Sequence, residues 1–398
     1  MDIRKYLRLN DLAAEDGKRF EKKRGLFETI LTGRGRHFTG IVGPRGVGKT
    51  VILKQVAAHV PDCCYISCDT LENDDLFEIA RILSTHYKIA LLLLDEVHFQ
   101  QEYDRILKSI FDFLTVRVVF TSSVSLSMFD SAYDLSRRVR LEHLYPFSYR
   151  EFLYFRYSIE VPPLSLARIV RNDHTPEHLR YGSYFGEYVQ GGLMPFHLEE
   201  PDIFPLLHNI LQTIITRDIP STGRLAVEDL TLIEKTVKFI GRSGIDGINY
   251  SSLSKNVGIT KYKAEKYVRL LRDAFVLNPV YPSGSNVLRE PKVCMCLPYR
   301  LLYREFAEVI GPLREDFFVE CMRMRGIDVH YLKSTRGAKT PDYLIPTDNG
   351  PIVVEIGGKG KGREQFKGIA VDTKIVLSDS AAGGGAGGRR PLVFAGYV

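Results

Sequence analysis

Four short stretches of this chain are almost wholly apolar, and each is separated from the next by a longer segment of helical period. FTGIVG (38–43), CCYISC (63–68), IALLLLDE (89–96) and VRVVFTSS (116–123) read as strands. Strands that are apolar on both faces and joined by helices imply a parallel sheet covered on both sides. The pattern predicts an α/β domain over residues 1–144, opened by a polar helical lead-in that carries Lys22, Lys23 and Arg24. Helical periodicity then dominates, as in LLHNILQTIITRDI (206–219) and LTLIEKTVKFIG (230–241), which predicts a helical lid over 145–240. In 250–277, SSLSKNV, a GIT turn and KYKAEKYVRLLRDAFV have the form of a helix-turn-helix, predicting a winged-helix module over 241–290. The remainder, 291–398, reads as a helix over 315–324, a hairpin over 342–356 turning at TDNG, and a strand at KIVLS. A flexible SAAGGGAGGRR segment and a last strand, PLVFAGYV, close it.

Composition narrows the class without changing this outline. The 398 residues suit two or three domains, and 44% hydrophobic with 26% charged residues is a globular balance. The longest apolar run, 89–94, is six residues, far below the roughly 20 that cross a bilayer. MDIRKYLRLND has charge but no apolar stretch behind it, so no secretory signal is expected. Six cysteines in a chain this long are no disulfide framework, and a reducing, cytoplasmic setting without membrane contact is expected. Cys294 and Cys296 form a single CxC with no second ligand pair, which a zinc site would need. The net charge of +6 permits a nucleic-acid partner and is equally compatible with ordinary solubility.

The chemistry begins at Gly43-Pro44-Arg45-Gly46-Val47-Gly48-Lys49-Thr50, which matches GxxxxGK[ST] throughout, between a strand and a helix. Glycines let backbone N–H groups curl around phosphates at a helix N-terminus. Lys49 would reach the β- and γ-phosphates and the Thr50 hydroxyl would coordinate Mg²⁺. A second apolar strand ends in Asp95 and Glu96. Asp95 would hold the metal through water, and Glu96 would orient the attacking water. No NKxD guanine-reading motif is present, so ATP is the expected nucleotide. Thr121 or Ser122, ending the next strand, is placed to sense the γ-phosphate or hold the water. Among Arg137, Arg138 and Arg140, Arg138 is preferred as a finger toward a neighbouring subunit, against a simply solvated basic edge.

These residues resemble the archaeal and bacterial AAA+-type P-loop ATPases that carry a C-terminal restriction-endonuclease-like domain of unknown function. The likeness continues through YPFSYREF (145–152), VQGGLMP (189–195), Arg217-Asp218-Ile219 and the helix-turn-helix segment. The resemblance implies ATP and Mg²⁺ as cofactors, a homo-oligomer, and a nucleic-acid role.

Two readings of the rest stay open. The second helix of the helix-turn-helix offers Val268, Leu270, Leu271 and Phe275 to a core and Lys261, Lys263, Lys266 and Arg269 to solvent or phosphate, so it could grip DNA or merely pack. Glu315, Asp342 and Glu355 could converge on a second metal site in a restriction-endonuclease-like core. Such a site expects a lysine two residues after the strand acid, where Gly357 stands; Lys359 or Lys361 would have to return across a bend. A live nuclease, a non-cutting binding domain and surface acids all remain possible readings. The leading function is therefore Mg²⁺-dependent ATP hydrolysis coupled to nucleic acid. The alternative is a signalling or scaffold ATPase acting on a protein partner.

Overall fold

The computed structural model describes residues 2–33, 35–71, 74–124, 135, 137–221, 225–244, 247–284, 290–332, 340–357, 366, 368–379 and 388–398. The chain divides into two compact units, Met1–Pro146 with Thr216–Arg224, and Phe147–Ile215 with Leu225–Val398.

In the first unit the four apolar stretches form strands β1 (Phe38–Val42), β2 (Cys63–Ser67), β3 (Leu91–Asp95) and β4 (Arg117–Ser122), joined by β5 (Val139–His143). All pair in parallel, in the order β2-β3-β4-β1-β5. Leu91 to Leu94 are all buried because alternate side chains serve opposite faces. Leu92 and Leu94 join Tyr6, Ile79, Leu83, Leu107 and Ile110 on one side. Leu91 and Leu93 join Phe27, Ile30, Ile52, Leu53 and Val56 on the other. The polar lead-in is helical over Ile3–Gly17, whereas its basic run Lys22, Lys23 and Arg24 lies outside that helix and before the next, Gly25–Thr32. Helix Ile3–Gly17 packs against Lys49–His59 so closely that a Cβ on Gly17 would lie 2.1 Å from the Lys54 carbonyl oxygen.

The second unit begins with helices, among them Tyr149–Tyr157 and Phe204–Thr213. Helices Val227–Arg242, Tyr250–Val257 and Lys261–Asp273 follow, then an antiparallel pair, β6 (Leu277–Val280) and β7 (Lys292–Met295). Helix Ile310–Met324 leads into β8 (His330–Tyr331), β9 (Tyr343–Ile345), β10 (Ile352–Gly357), β11 (Thr373–Ser378) and β12 (Arg389–Pro391). The sheet order is β12-β11-β10-β9-β8. Strands β8, β9 and β10 form an antiparallel meander, whereas β10, β11 and β12 run parallel.

The expected hairpin and KIVLS strand are therefore present. The final segment differs. PLVFAGYV was expected as a strand, but only Pro391 closes β12, and Leu392–Tyr397 coils into 3₁₀ turns whose side chains are all buried. A segment with no polar alternation offers no solvent face for an edge strand, and coiling buries every side chain against the unit core. Of the glycine-rich segment, residues 380–387 lie outside the described residues.

One buried acid makes this unit sensitive to pH. Glu320, on helix Ile310–Met324, is 5% exposed, and its Oε2 accepts the Leu297 N–H at 2.6 Å. Burial pushes its carboxyl up to about 8, against the pull of that N–H and of Arg323. In the unfolded chain it ionises near pH ~4.3. Between these values the unfolded state has lost the proton and the folded state keeps it, so stability falls as pH rises and levels off above about 8. Glu320→Gln keeps an acceptor for Leu297 but has no proton to lose. Denaturant titrations at pH 5 and 8 should show the wild type losing on the order of a few kcal/mol more than the variant. Equal losses would refute the assignment.

Candidate functional site

The phosphate loop follows β1, and its local sequence dictates its shape. Gly46 and Gly48 adopt φ of 80° and 90°, a left-handed region that strains any residue with a side chain. Gly43 passes so near β5 that a Cβ would meet the Leu144 carbonyl oxygen at 2.0 Å. Lys49, the first residue of its helix, is 4% exposed, and its Nζ donates to the Gly43 and Pro44 carbonyls at 2.8 and 2.9 Å. Burial lowers its pKa, opposed by the Glu96 and Asp95 carboxylates. Arg24 braces the loop from behind, donating to the Val47 carbonyl at 3.2 Å and the Tyr145 carbonyl at 2.7 Å. In the sequence Arg24 was only the end of a basic run.

Asp95 is 3% exposed, and a carboxylate buried so deeply needs donors. Tyr65 of β2 donates its hydroxyl to Oδ2 at 2.8 Å, and Thr121 of β4 donates to Oδ1 at 2.5 Å. The same Thr121 oxygen accepts the Glu96 N–H at 2.8 Å. Thr121 thus acts through the acid pair, holding Asp95 and the turn after it. Glu96 sits in that turn with φ 53° and ψ 49°, strained for a non-glycine residue. Its Oε2 lies 3.3 Å from His98 Nδ1, yet it is buried with no hydrogen-bond partner of proper geometry among the described residues. Thr50 is half-buried, and its hydroxyl has no hydrogen bond among the described residues. An open Thr50 hydroxyl is what a hard cation takes directly, whereas Asp95, with both oxygens bonded, would meet it through water.

The imidazole beside this site carried no sequence signal. His98 is 8% exposed, between Ser122 Oγ and Ser123 Oγ, each 3.3 Å from one ring nitrogen. Burial holds the imidazole below its ordinary pKa, against the pull of Glu96 and Asp218. Asp218 is 1% exposed and pairs in bidentate fashion with Arg45, at 2.6 Å for both bonds. That carboxylate keeps Arg45 above its ordinary pKa, outweighing burial.

The preferred finger, Arg138, is already engaged. It donates to both carboxylate oxygens of Asp112 at 3.0 Å and lies over the Phe111 ring. Arg140 pairs with Glu142 at 2.7 Å, which leaves Arg137 exposed and without an ion pair among the described residues.

In the second unit the helix-turn-helix apolar face packs as expected, with Val268, Leu270, Leu271 and Phe275 buried. Its cations divide. Lys261 pairs with Glu290 at 2.8 Å and Lys263 with Asp229 at 2.9 Å, whereas Lys266 and Arg269 make no ion pair among the described residues.

The three C-terminal acids do not assemble as expected. Glu315 is bonded by the Lys292 amine and by the Tyr343 hydroxyl at 2.6 Å. Asp342 Oδ2 accepts the Ile356 N–H at 2.7 Å, and Glu355 is buried in β10 at 1% exposed. Among the described residues no group of three His, Cys, Asp or Glu side chains is placed to hold a metal ion. Two of the acids are engaged by partners of their own unit, Glu315 through Oε2 and Asp342 through Oδ2. Strand β10 stays regular through Gly357, opposite Ser378 of β11, while Lys359 and Lys361 lie outside the described residues. All six cysteines are buried and free, and burial pushes Cys294 up to about 12.

The hydrolytic site yields a direct test. With Glu96 as the expected water-orienting carboxylate, Glu96→Gln should keep nucleotide binding and slow turnover by roughly 100-fold or more, because it removes that carboxylate and little ground-state contact. Thr121→Val should slow it by roughly 10-fold, since it strips one donor from Asp95 and one acceptor from the Glu96 N–H. Steady-state phosphate release with nucleotide binding measured in parallel reads both, and wild-type turnover in Glu96→Gln would refute the role.

Residues 35–153 match the family described as AAA domain, and residues 183–296 match a domain of unknown function, DUF8612. Uncharacterized protein MJ1637 of Methanocaldococcus jannaschii is 26% identical over 383 residues, covering 85% of this chain and 80% of that protein. Among solved structures, the Walker-type ATPase PABY2304 of Pyrococcus abyssi is 14% identical, covers 69% of this chain and 92% of its own, and has a TM-score of 0.40. The Aeropyrum pernix ORC1 protein in complex with DNA is 12% identical, with coverage of 74% and 91% and a TM-score of 0.30. Likenesses this loose carry no argument about this chain. The AAA-domain match spans the phosphate loop and the acid pair, whose geometry stands on its own, and the chain is an ATPase.

Proposed function

We propose that this ATPase is Mg²⁺-dependent and that its hydrolysis responds to duplex nucleic acid bound by the helical module of its second unit. The observation that carries the hydrolytic half is the buried Glu96 Oε2, which has no hydrogen-bond donor among the described residues and whose carboxylate, like that of Asp95, interacts with the Lys49 charge. A carboxylate oxygen with an empty acceptor position is suited to a water proton. Lys49 holds the phosphates, Thr121 keeps Asp95 and Glu96 in register, and Glu96 orients the attacking water for in-line transfer. Thr50 and Asp95 would hold Mg²⁺, which when bound neutralises charge on the β- and γ-phosphates.

For the nucleic-acid half, three helices followed by the antiparallel β6–β7 pair have the order of a winged helix. Lys266 and Arg269 are the cations its second helix leaves for phosphate. Helix Ile310–Met324, the β8–β9–β10 meander and the parallel β11 support a restriction-endonuclease-like scaffold. With Glu315 engaged by Lys292 and Gly357 in the lysine position, we read that scaffold as one that binds without cutting. A protein partner is the second reading, favoured by the internal pairing of Lys261 and Lys263.

The test is steady-state hydrolysis with and without duplex DNA, using Lys49→Ala as the blank. Stimulation of the wild type should vanish in Lys266→Ala/Arg269→Ala while basal turnover holds. Hydrolysis indifferent to DNA, with no DNA binding at low salt, would overturn the nucleic-acid reading in favour of the protein partner.

A further inference from the structure

The residues that hold the phosphate loop and those beside the water-orienting acid are not independent. Arg45 of the loop donates Nε and Nη2 to the two oxygens of Asp218, and the Asp218 side chain is fully buried. The Asp218 Oδ2 lies 3.5 Å from Ser123 Oγ, which lies 3.3 Å from His98 Nε2. The other ring nitrogen, Nδ1, lies 3.3 Å from Glu96 Oε2. Ser122 gives its own proton to the Val124 carbonyl at 2.8 Å and accepts the Val124 N–H at 3.2 Å, and its oxygen lies 3.3 Å from Nδ1. The Nδ1 edge of the ring faces Glu96. A continuous polar chain runs Arg45, Asp218, Ser123, His98, Glu96, and every middle member is at most 8% exposed.

We propose that Asp218 is a positioning residue for ATP hydrolysis, fixing the phosphate loop through Arg45 and the Glu96 carboxylate through Ser123 and His98. It lies 173 residues beyond Arg45 in sequence. It belongs to Thr216–Arg224, a short insertion into the ATPase unit whose flanking chain on both sides belongs to the other unit. Phe99 reinforces the placement, with the Arg45 guanidinium 6.0 Å and the Arg217 guanidinium 5.6 Å from its ring centroid. A buried carboxylate binding a loop arginine in bidentate fashion is stiff, so Asp218 can set the loop and the acid together.

The two branches touch different kinetic quantities, which separates this role from a merely structural one. Arg45→Ala should raise KM for ATP roughly 10-fold and leave kcat within about twofold. Ser123→Ala, which cuts the chain on the acid side, should lower kcat by roughly 5- to 10-fold with KM unchanged. Asp218→Asn, at the junction, should do both. The Arg45→Ala/Asp218→Asn double variant should have the KM of either single variant rather than the product of the two effects. Thermal midpoints should stay within a few degrees throughout. Asp218→Asn that moves only the thermal midpoint, or only KM, overturns the proposal. Should Asp218→Asn fail to fold, Ser123→Ala still decides, because wild-type kcat there breaks the link to Glu96.

Discussion

The ATPase unit depends on the burial of one carboxylate. Asp95 ends a strand whose four preceding residues are all buried, and an ionised group in that position is costly unless donors meet it. Its donors come from both sides, Tyr65 from β2 and Thr121 from β4. They can reach it only if β3 lies between those strands, which is the order observed. Strand order and catalytic geometry are thus one constraint. The strand that intervenes between the phosphate-loop strand and the acid strand, β4, is the one that delivers Thr121, whose single hydroxyl also receives the Glu96 N–H. Removing β4 from that position would leave Asp95 half-satisfied and the strained Glu96 turn untethered.

The second unit solves a similar problem with different residues. Asp316 is 1% exposed and Arg300 4%, joined by bonds of 2.5 and 3.1 Å. The pair also gathers backbone. Asp316 accepts the Met295 N–H at 2.8 Å, and Arg300 donates to the Ile240 carbonyl at 3.0 Å. Helix Ile310–Met324, strand β7 and the end of helix Val227–Arg242 are therefore tied at one point. A buried pair is weak evidence for net stability, because desolvation offsets much of its attraction. What it supplies is register, since no shifted packing keeps all four bonds.

How much of this the sequence disclosed follows from how local each feature is. The phosphate loop was legible because its function rests on backbone shape, and backbone shape there is set by glycines within eight residues. The unbroken apolar run Leu91 to Leu94 disclosed the buried sheet because it too is a local feature. Pairings across long sequence separations were not legible. Asp218 could be noted only as part of a short resembling segment, because nothing in residues near Arg45 names its partner. Arg138 is the converse case, expected as a finger toward a neighbouring subunit from its place beside a strand, and bonded here to Asp112 of helix Tyr103–Phe113. The C-terminal acids illustrate the same limit. Their order along the chain is that of a metal site, yet Lys292 from β7 reaches Glu315.

The contrast between Asp95 and Glu96 then has a physical basis. Adjacent carboxylates leave one strand end, but one has both oxygens occupied while the other keeps an oxygen without a hydrogen-bond donor among the described residues. A fully bonded carboxylate is fixed in place and suited to hold a cation's hydration shell. A carboxylate with an open acceptor, near Lys49 and held in a strained turn, is suited to take hold of a water that is about to react. The left-handed conformation at Glu96 separates these roles, because it turns the second side chain out of the strand's alternation. In an extended continuation it would point away from Asp95 toward the opposite sheet face. Strain at that single residue, opposed by the Thr121 bond to its N–H, is thus what allows neighbouring acids to do different work.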